Sequence, residues 1–252
     1  MEKDFLYIHA SIADVPRGKY TSFKKRVDMK KRIFFIGMIS LFFVGCGKKQ
    51  PPPSADFWYK QSLQVLQLEQ SGDVAWRKAL GSLEQALALD NKKSEFWALK
   101  GSLLLLLGMP QLSIDAFDRA LQLAASPAKR AEALNNYACT LAELGHEAQA
   151  LAKWQEALAT PSYLTPEVVY CNQGQYWLRK NDFDKALAAF DRAVNLAAEY
   201  SDAHFYRAVA LFYLKRYAQA HDAVVTLLAF DPCYQPAQAL KRQLVNRMAL
   251  KI

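Results

Sequence analysis

SEFWALKGSLLLLLGMPQLSIDAFDRA, residues 94–120, is the stretch on which the fold turns. Counted from Ser94, it places Trp97 at position 4, Gly101 at 8, Leu104 at 11, Gly108 at 15, Phe117 at 24 and Ala120 at 27. Two antiparallel helices approach closely only where side chains are small, which selects positions 8, 20 and 27. Bulky residues at 4, 11 and 24 fill the space that remains. The pattern recurs downstream. Leu134, Tyr137, Ala138, Leu141, Gly145, Ala150, Trp154 and Ala157 hold positions 4, 7, 8, 11, 15, 20, 24 and 27 of a unit starting at 131. Tyr170, Gly174, Trp177, Ala186, Phe190 and Ala193 serve a unit from 167, and Ala208, Leu211, Ala220, Val224 and Pro232 one from 201, with Leu227 where a small residue is usual. Upstream, Leu63, Leu66, Ala79, Leu83 and Ala86 sketch a degenerate unit from 60, so the spacings are 34, 37, 36 and 34.

A helix-turn-helix period near 34 residues resembles the tetratricopeptide repeat (TPR). The resemblance implies an all-α fold, a right-handed solenoid of about five repeats near 60–93, 94–130, 131–166, 167–200 and 201–234. Each unit leaves an apolar face that its neighbour must cover, so the array needs a closing helix. Residues 236–249 fit that cap, because Leu240, Leu244, Val245 and Met248 recur at helical spacing while Lys241, Arg242 and Arg247 lie elsewhere on the helix. Ser126-Pro127 and Thr165-Pro166 each set a hydroxyl before a proline, the order expected at a helix start, and Ser94 and Ser201 are expected to cap two more helices.

The first fifty residues carry most of the charge. The chain is formally +8, but Met1–Gly45 holds nine Lys+Arg against four Asp+Glu, which leaves +3 for the rest. A body so near neutral lacks the basic stripe that nucleic acid requires. Lys30, Lys31 and Arg32 precede the apolar run Ile33–Val44 and then Gly45-Cys46-Gly47, the layout of an export signal over 29–45. Twelve apolar residues fall short of the ~20 that span a bilayer. Phe43-Val44-Gly45-Cys46 resembles the lipobox of bacterial lipoproteins, departing from it in Phe43, where that family usually has Leu. The resemblance implies a diacylglyceryl (palmitate-bearing) thioether on Cys46, cleavage before it and acylation of the new amine. Residues 46–55 form a polar, proline-stiffened lipidated tether, and 56–252 the repeat domain. Residues 1–28 read as a mis-started or unstructured extension, with a cytoplasmic extension of a signal-anchor protein as the alternative. Gly47 stands where an Asp would resemble an inner-membrane retention signal, so the expected address is the periplasmic face of the outer membrane.

Catalysis needs converging groups, and none is foreseen. His146, His204 and His221 fall on separate elements without metal-ligand spacing, and Asp115 and Asp118 suit a solvated helix face. No glycine-rich phosphate loop is present. No enzyme activity, metal, cofactor or small-molecule substrate is expected. Cys139 and Cys171 read as small groove or core residues, since the offset between neighbouring helices makes a bridge awkward.

A protein partner is the remaining reading. In TPR arrays, positions 2, 5, 9, 12 and 13 of the first helix line a concave groove. The Lys, Asn and Arg clamp by which chaperone-tail receptors of this fold hold acidic tails is incomplete: Ala98, Ser102, Asn136, Val168 and Asn172 occupy the places, and the basic members are missing. The last two units offer an apolar, aromatic groove of Val168, Leu178, Phe205, Val209, Phe212 and Tyr213, with Gln175 and Arg179 among them. The alternative is that a neighbouring helix covers some of these. Leu134-Asn135-Asn136-Tyr137, the linker Pro161-Ser162-Tyr163-Leu164-Thr165-Pro166-Glu167 and Tyr170-Cys171-Asn172-Gln173-Gly174 resemble the type IV pilus pilotin family. That resemblance implies a lipoprotein that escorts a secretin subunit to the outer membrane and promotes its assembly. A periplasmic TPR scaffold for envelope enzymes is the second reading.

Overall fold

The computed structural model describes residues 52–68, 72–161 and 163–249, so the export signal, Cys46 and the tether up to Pro51 lie outside the described residues. Eleven helices and no strand make up the described residues: α1 (Ala55–Leu68), α2 (Asp73–Leu89), α3 (Ser94–Leu106), α4 (Pro110–Leu123), α5 (Pro127–Glu143), α6 (Glu147–Leu158), α7 (Pro166–Arg179), α8 (Phe183–Leu196), α9 (Ser201–Tyr213), α10 (Tyr217–Phe230) and α11 (Gln235–Ala249). They pack as five antiparallel pairs, α1/α2 to α9/α10, closed by the single helix α11. The inner helices α5, α7, α9 and α11 each touch the inner helix before them as well as the outer helix of the preceding pair. This is the stacked TPR solenoid that the repeat pattern implies.

The turn inside each pair from α3/α4 to α9/α10 is set by one residue. Gly108, Gly145, Asn181 and Lys215 all sit at position 15, with φ of 72°, 79°, 59° and 61°. The left-handed backbone there lets the next amide reach back to the helix end: Met109 N donates to Leu104 O at 2.8 Å, and Arg216 N to Leu211 O at 2.9 Å. Glycine adopts this conformation without penalty, whereas Asn181 and Lys215 hold it against their side chains.

The first pair is more regular than its sequence suggests. Ser62 and Val65, not Leu63 and Leu66, are the buried residues of α1. Counted from Ala55, Trp58 falls at position 4, Ser62 at 8 and Val65 at 11. In α2, Ala79, Leu83 and Ala86 are fully buried and keep the count from 60. Five more residues between Ala55 and Ala79 than between the matching positions of the later units separate the two counts and disguise an ordinary unit.

Helix starts correct the expected caps. Ser126 does accept a hydrogen bond from Lys129 N at 3.2 Å. Thr165 makes no such bond. Ser94 and Ser201 are already the first residues of their helices, so their hydroxyls lie past the capping position: Ser94 Oγ donates to Glu95 Oε2 at 3.4 Å and Ser201 Oγ to Asp231 Oδ2 at 3.1 Å. Asp182, not foreseen, caps α8 by accepting from Lys185 N at 3.2 Å.

Small-against-large packing holds the pairs together. A Cβ on Gly174 would lie 2.5 Å from the Phe190 ring, and one on Gly101 would lie 2.8 Å from Phe117. Where position 8 is Ala, in Ala138 and Ala208, position 24 is Trp154 or Val224 instead of Phe. Phe190 is fully buried and stacked on Tyr206 at 5.8 Å, so its ring has nowhere to retreat. We expect Gly174→Ala to cost about 1–3 kcal/mol despite alanine's better helix propensity. A urea titration followed by circular dichroism measures this, and an unchanged midpoint would show that the ring yields.

Candidate partner-binding groove

The inner helices present positions 2, 5, 9, 12 and 13 on one side of the solenoid, and the residues expected to line a groove there divide into two groups. Phe205 and Val209 are 3% and 2% exposed and belong to the apolar core. The expectation that they form open groove surface is corrected: Tyr234, from the loop before α11, lays its ring 5.5 Å from that of Phe205 and donates its hydroxyl to Asp202 Oδ1 at 2.7 Å. Other loop tyrosines do the same. Tyr200, just ahead of α9, hydrogen-bonds the fully buried Cys171, whose thiol is pushed up to about 12 by burial. Such a thiol is not a nucleophile. Tyr163, in the linker before α7, packs on the core containing Cys139, and its hydroxyl is pushed up to about 12, first by burial and then by Glu132 and Glu167.

The second group remains accessible. Val168, Gln175, Leu178, Phe212 and Tyr213 are partly buried, and Arg179 is exposed. Gln175 Nε2 donates to Cys171 Sγ at 3.6 Å. Tyr213 stacks on Phe183 at 4.8 Å, and Phe212 meets Tyr217 edge-on at 5.5 Å. Arg179 forms an ion pair with Glu143 of α5 at 3.1 Å, each side chain nearly half exposed. Leu178, Arg179, Phe212, Tyr213 and Glu143 therefore form a strip at the C-terminal ends of α5, α7 and α9. It has an apolar centre and a solvent-exposed ion pair that contributes little to stability.

The groove's asparagines are turned inward. Asn172 Nδ2 donates to Asn135 Oδ1 at 3.0 Å, with both residues buried, and Asn136 Nδ2 donates to Ser102 Oγ at 3.4 Å. These bonds tie successive inner helices in register rather than reaching out as a clamp. Among the described cysteines none is in a disulfide: Cys139 and Cys171 are buried and Cys233 is exposed. Among the described residues no cluster of ligating side chains suits a metal ion, and no helix is long and apolar enough to cross a membrane.

His204, buried in α9, gives this end of the solenoid a pH dependence. Its Nε2 lies 2.9 Å from Ala198 O, its Nδ1 is buried without a partner, and its pKa is lowered by burial and by Arg207. The unfolded chain takes up a proton near the ordinary value of 6.5 while the folded chain resists it. Stability is therefore full above that value and falls as the pH drops below it. His204→Gln should flatten the dependence of the urea midpoint between about pH 7.5 and 5.5, and an identical slope in that variant would assign the effect elsewhere.

The tetratricopeptide-repeat family model matches residues 68–130 and 171–232 of the chain. No curated protein matches it at the sequence level. Among solved structures, PilW, described as a widely conserved type IV pilus biogenesis factor, superposes with a TM-score of 0.60 at 20% identity, covering 77% of this chain and 94% of its own. PilF of Pseudomonas aeruginosa gives 0.61 at 19% identity over 77% and 84%, and a thermophilic TPR protein of Thermus thermophilus gives 0.63 at 16% over 76% and 99%. Repeat build, matched family and structural neighbours agree that the chain is a tetratricopeptide-repeat protein.

Proposed function

We propose that the protein is a lipid-anchored pilotin, which holds a helix of a secretin subunit in its groove and carries it to the periplasmic face of the outer membrane for assembly in type IV pilus biogenesis. TPR solenoids are protein-interaction scaffolds, and the partner's seat here is the accessible strip of Leu178, Arg179, Phe212, Tyr213 and Glu143. The observation that supports this reading best is the likeness to PilW over 94% of that chain, because it extends over nearly the whole solenoid of a pilus biogenesis factor. The lipobox at Phe43–Cys46 and the Pro161–Glu167 linker point the same way. An apolar strip with one ion pair beside it suits an amphipathic helix laid across the inner helices.

The test replaces exposed or partly exposed groups, so that binding and folding are read apart. Leu178→Asp with Arg179→Glu should reduce heat-resistant secretin multimers roughly tenfold or more, the loss expected when a contact central to an interface is removed, while leaving the circular dichroism spectrum unchanged. Cys46→Ala should abolish labelled-palmitate incorporation and release the protein into the periplasmic fraction. Normal multimers in the first variant would move the seat away from this strip, and unchanged palmitate labelling in the second would remove the proposed anchor.

A further inference from the structure

Each unit after the first buries position 3 of its inner helix against the unit before it: Phe96, Ala133, Val169 and Ala203 are all 0–2% exposed. Position 10 on the same stripe is equally covered, with Leu103, Thr140 and Ala210 at 0% and Tyr176 at 1%. In the first unit, position 3 is Phe57 at 50% exposure and position 10 is the exposed Gln64. Gln61 lies between them, and Leu68, 74% exposed, ends the stripe. This face of α1 continues the stacking interface that is used four more times along the chain.

We propose that a second copy of the chain docks on this face, the two α1 helices lying parallel about a twofold axis. Phe57, Gln61, Gln64 and Leu68 are spaced by four, three and four residues, the seam of a short two-stranded coiled coil. None of the four is charged, so two copies meet there without like-charge repulsion. The two glutamines are self-complementary, because a carboxamide donates and accepts at once and the same residue on the other copy satisfies both needs. A foreign partner would not need this self-matching pattern. The parallel direction rests on the lipid-anchored reading: it brings Pro52 of both copies to one end, from which two short tethers can reach one membrane surface.

The body from Gly47 to Ile252 contains all three apolar cores and suits the test, with Cys233→Ser to remove the exposed thiol. Size-exclusion chromatography with light scattering should show the mass rising toward twice that of one chain between ~1 and ~100 µM, the range expected of a small interface. Phe57→Asp with Leu68→Asp should stay monomeric throughout with an unchanged melting temperature, since both side chains are exposed. Gln61→Cys should oxidise to a covalent dimer, whereas Gln85→Cys on the exposed side of α2 should not. A monomer at the highest concentration, or a dimer indifferent to the Asp pair, would overturn the proposal. A dimer that Gln61→Cys fails to link would overturn its parallel arrangement. None of these outcomes depends on palmitate labelling, so failure of the anchor and failure of the dimer are told apart.

Discussion

Phe205→Asp should strongly destabilise the C-terminal half of the solenoid instead of merely blunting the groove. Phe205 is 3% exposed, edge-on to Tyr206 at 5.2 Å and covered by Tyr234. Removing such a ring costs about 3–5 kcal/mol, and a carboxylate left in its place adds the penalty of a buried charge without a cationic partner. The total, ~5 kcal/mol or more, is a large part of the stability of an ordinary domain and should lower the melting temperature by roughly 10–20 °C. Thermal melts followed by far-ultraviolet circular dichroism read this directly. A variant that melts within a few degrees of the parent would mean that Phe205 can swing out, returning it to the partner surface.

Trp154→Ala should destabilise the middle of the array by about 3–5 kcal/mol. Trp154 is 1% exposed, fills position 24 opposite Ala138, and packs on Tyr176 at 5.8 Å. Tyr176 is anchored in turn by its hydroxyl, which donates to Glu147 Oε2 at 2.6 Å, so the surroundings are fixed and the cavity does not close. The indole nitrogen is buried without a hydrogen-bond partner, so it contributes volume but no polar contact. Trp154→Phe should therefore cost well under half as much as the alanine change. Equal losses in urea titrations of the two variants would assign the residue's importance to that nitrogen.

The stacked hairpins were legible because close helix approach forces small residues to recur. Gly101 against Phe117 and Gly174 against Phe190 are contacts that a one-dimensional reading can anticipate from spacing alone. The first unit was harder. Leu63 and Leu66 are apolar at plausible positions, and the five-residue surplus within the first unit hides the true count that Ser62 and Val65 keep. The capping serines misled for a similar reason: Ser94 and Ser201 fit a helix start by type, but a single-residue offset decides whether a hydroxyl meets a free amide.

The covered part of the groove, at Phe205 and Val209, was not legible. Which inner-helix positions face inward follows from the repeat, but whether they stay open depends on side chains arriving from elsewhere. Tyr200 and Tyr234 look like ordinary loop residues, and nothing in their own surroundings shows that they fold back over Cys171 and Phe205. Two tyrosines placed immediately ahead of successive inner helices are the available signal. Leu178, Arg179, Phe212 and Tyr213 escape this cover because they lie at the opposite end of their helices.

Among the described residues the apolar interior is divided among three clusters, one built on α1–α3, one centred on α5 and α6, and one on α8–α11. A molecule assembled this way frays from its ends like a zipper, each pair letting go with little warning to those beyond its immediate neighbours. Its heat-capacity peak should accordingly be broader than a single all-or-none transition allows, and a lesion near one terminus would leave the far end still able to grip.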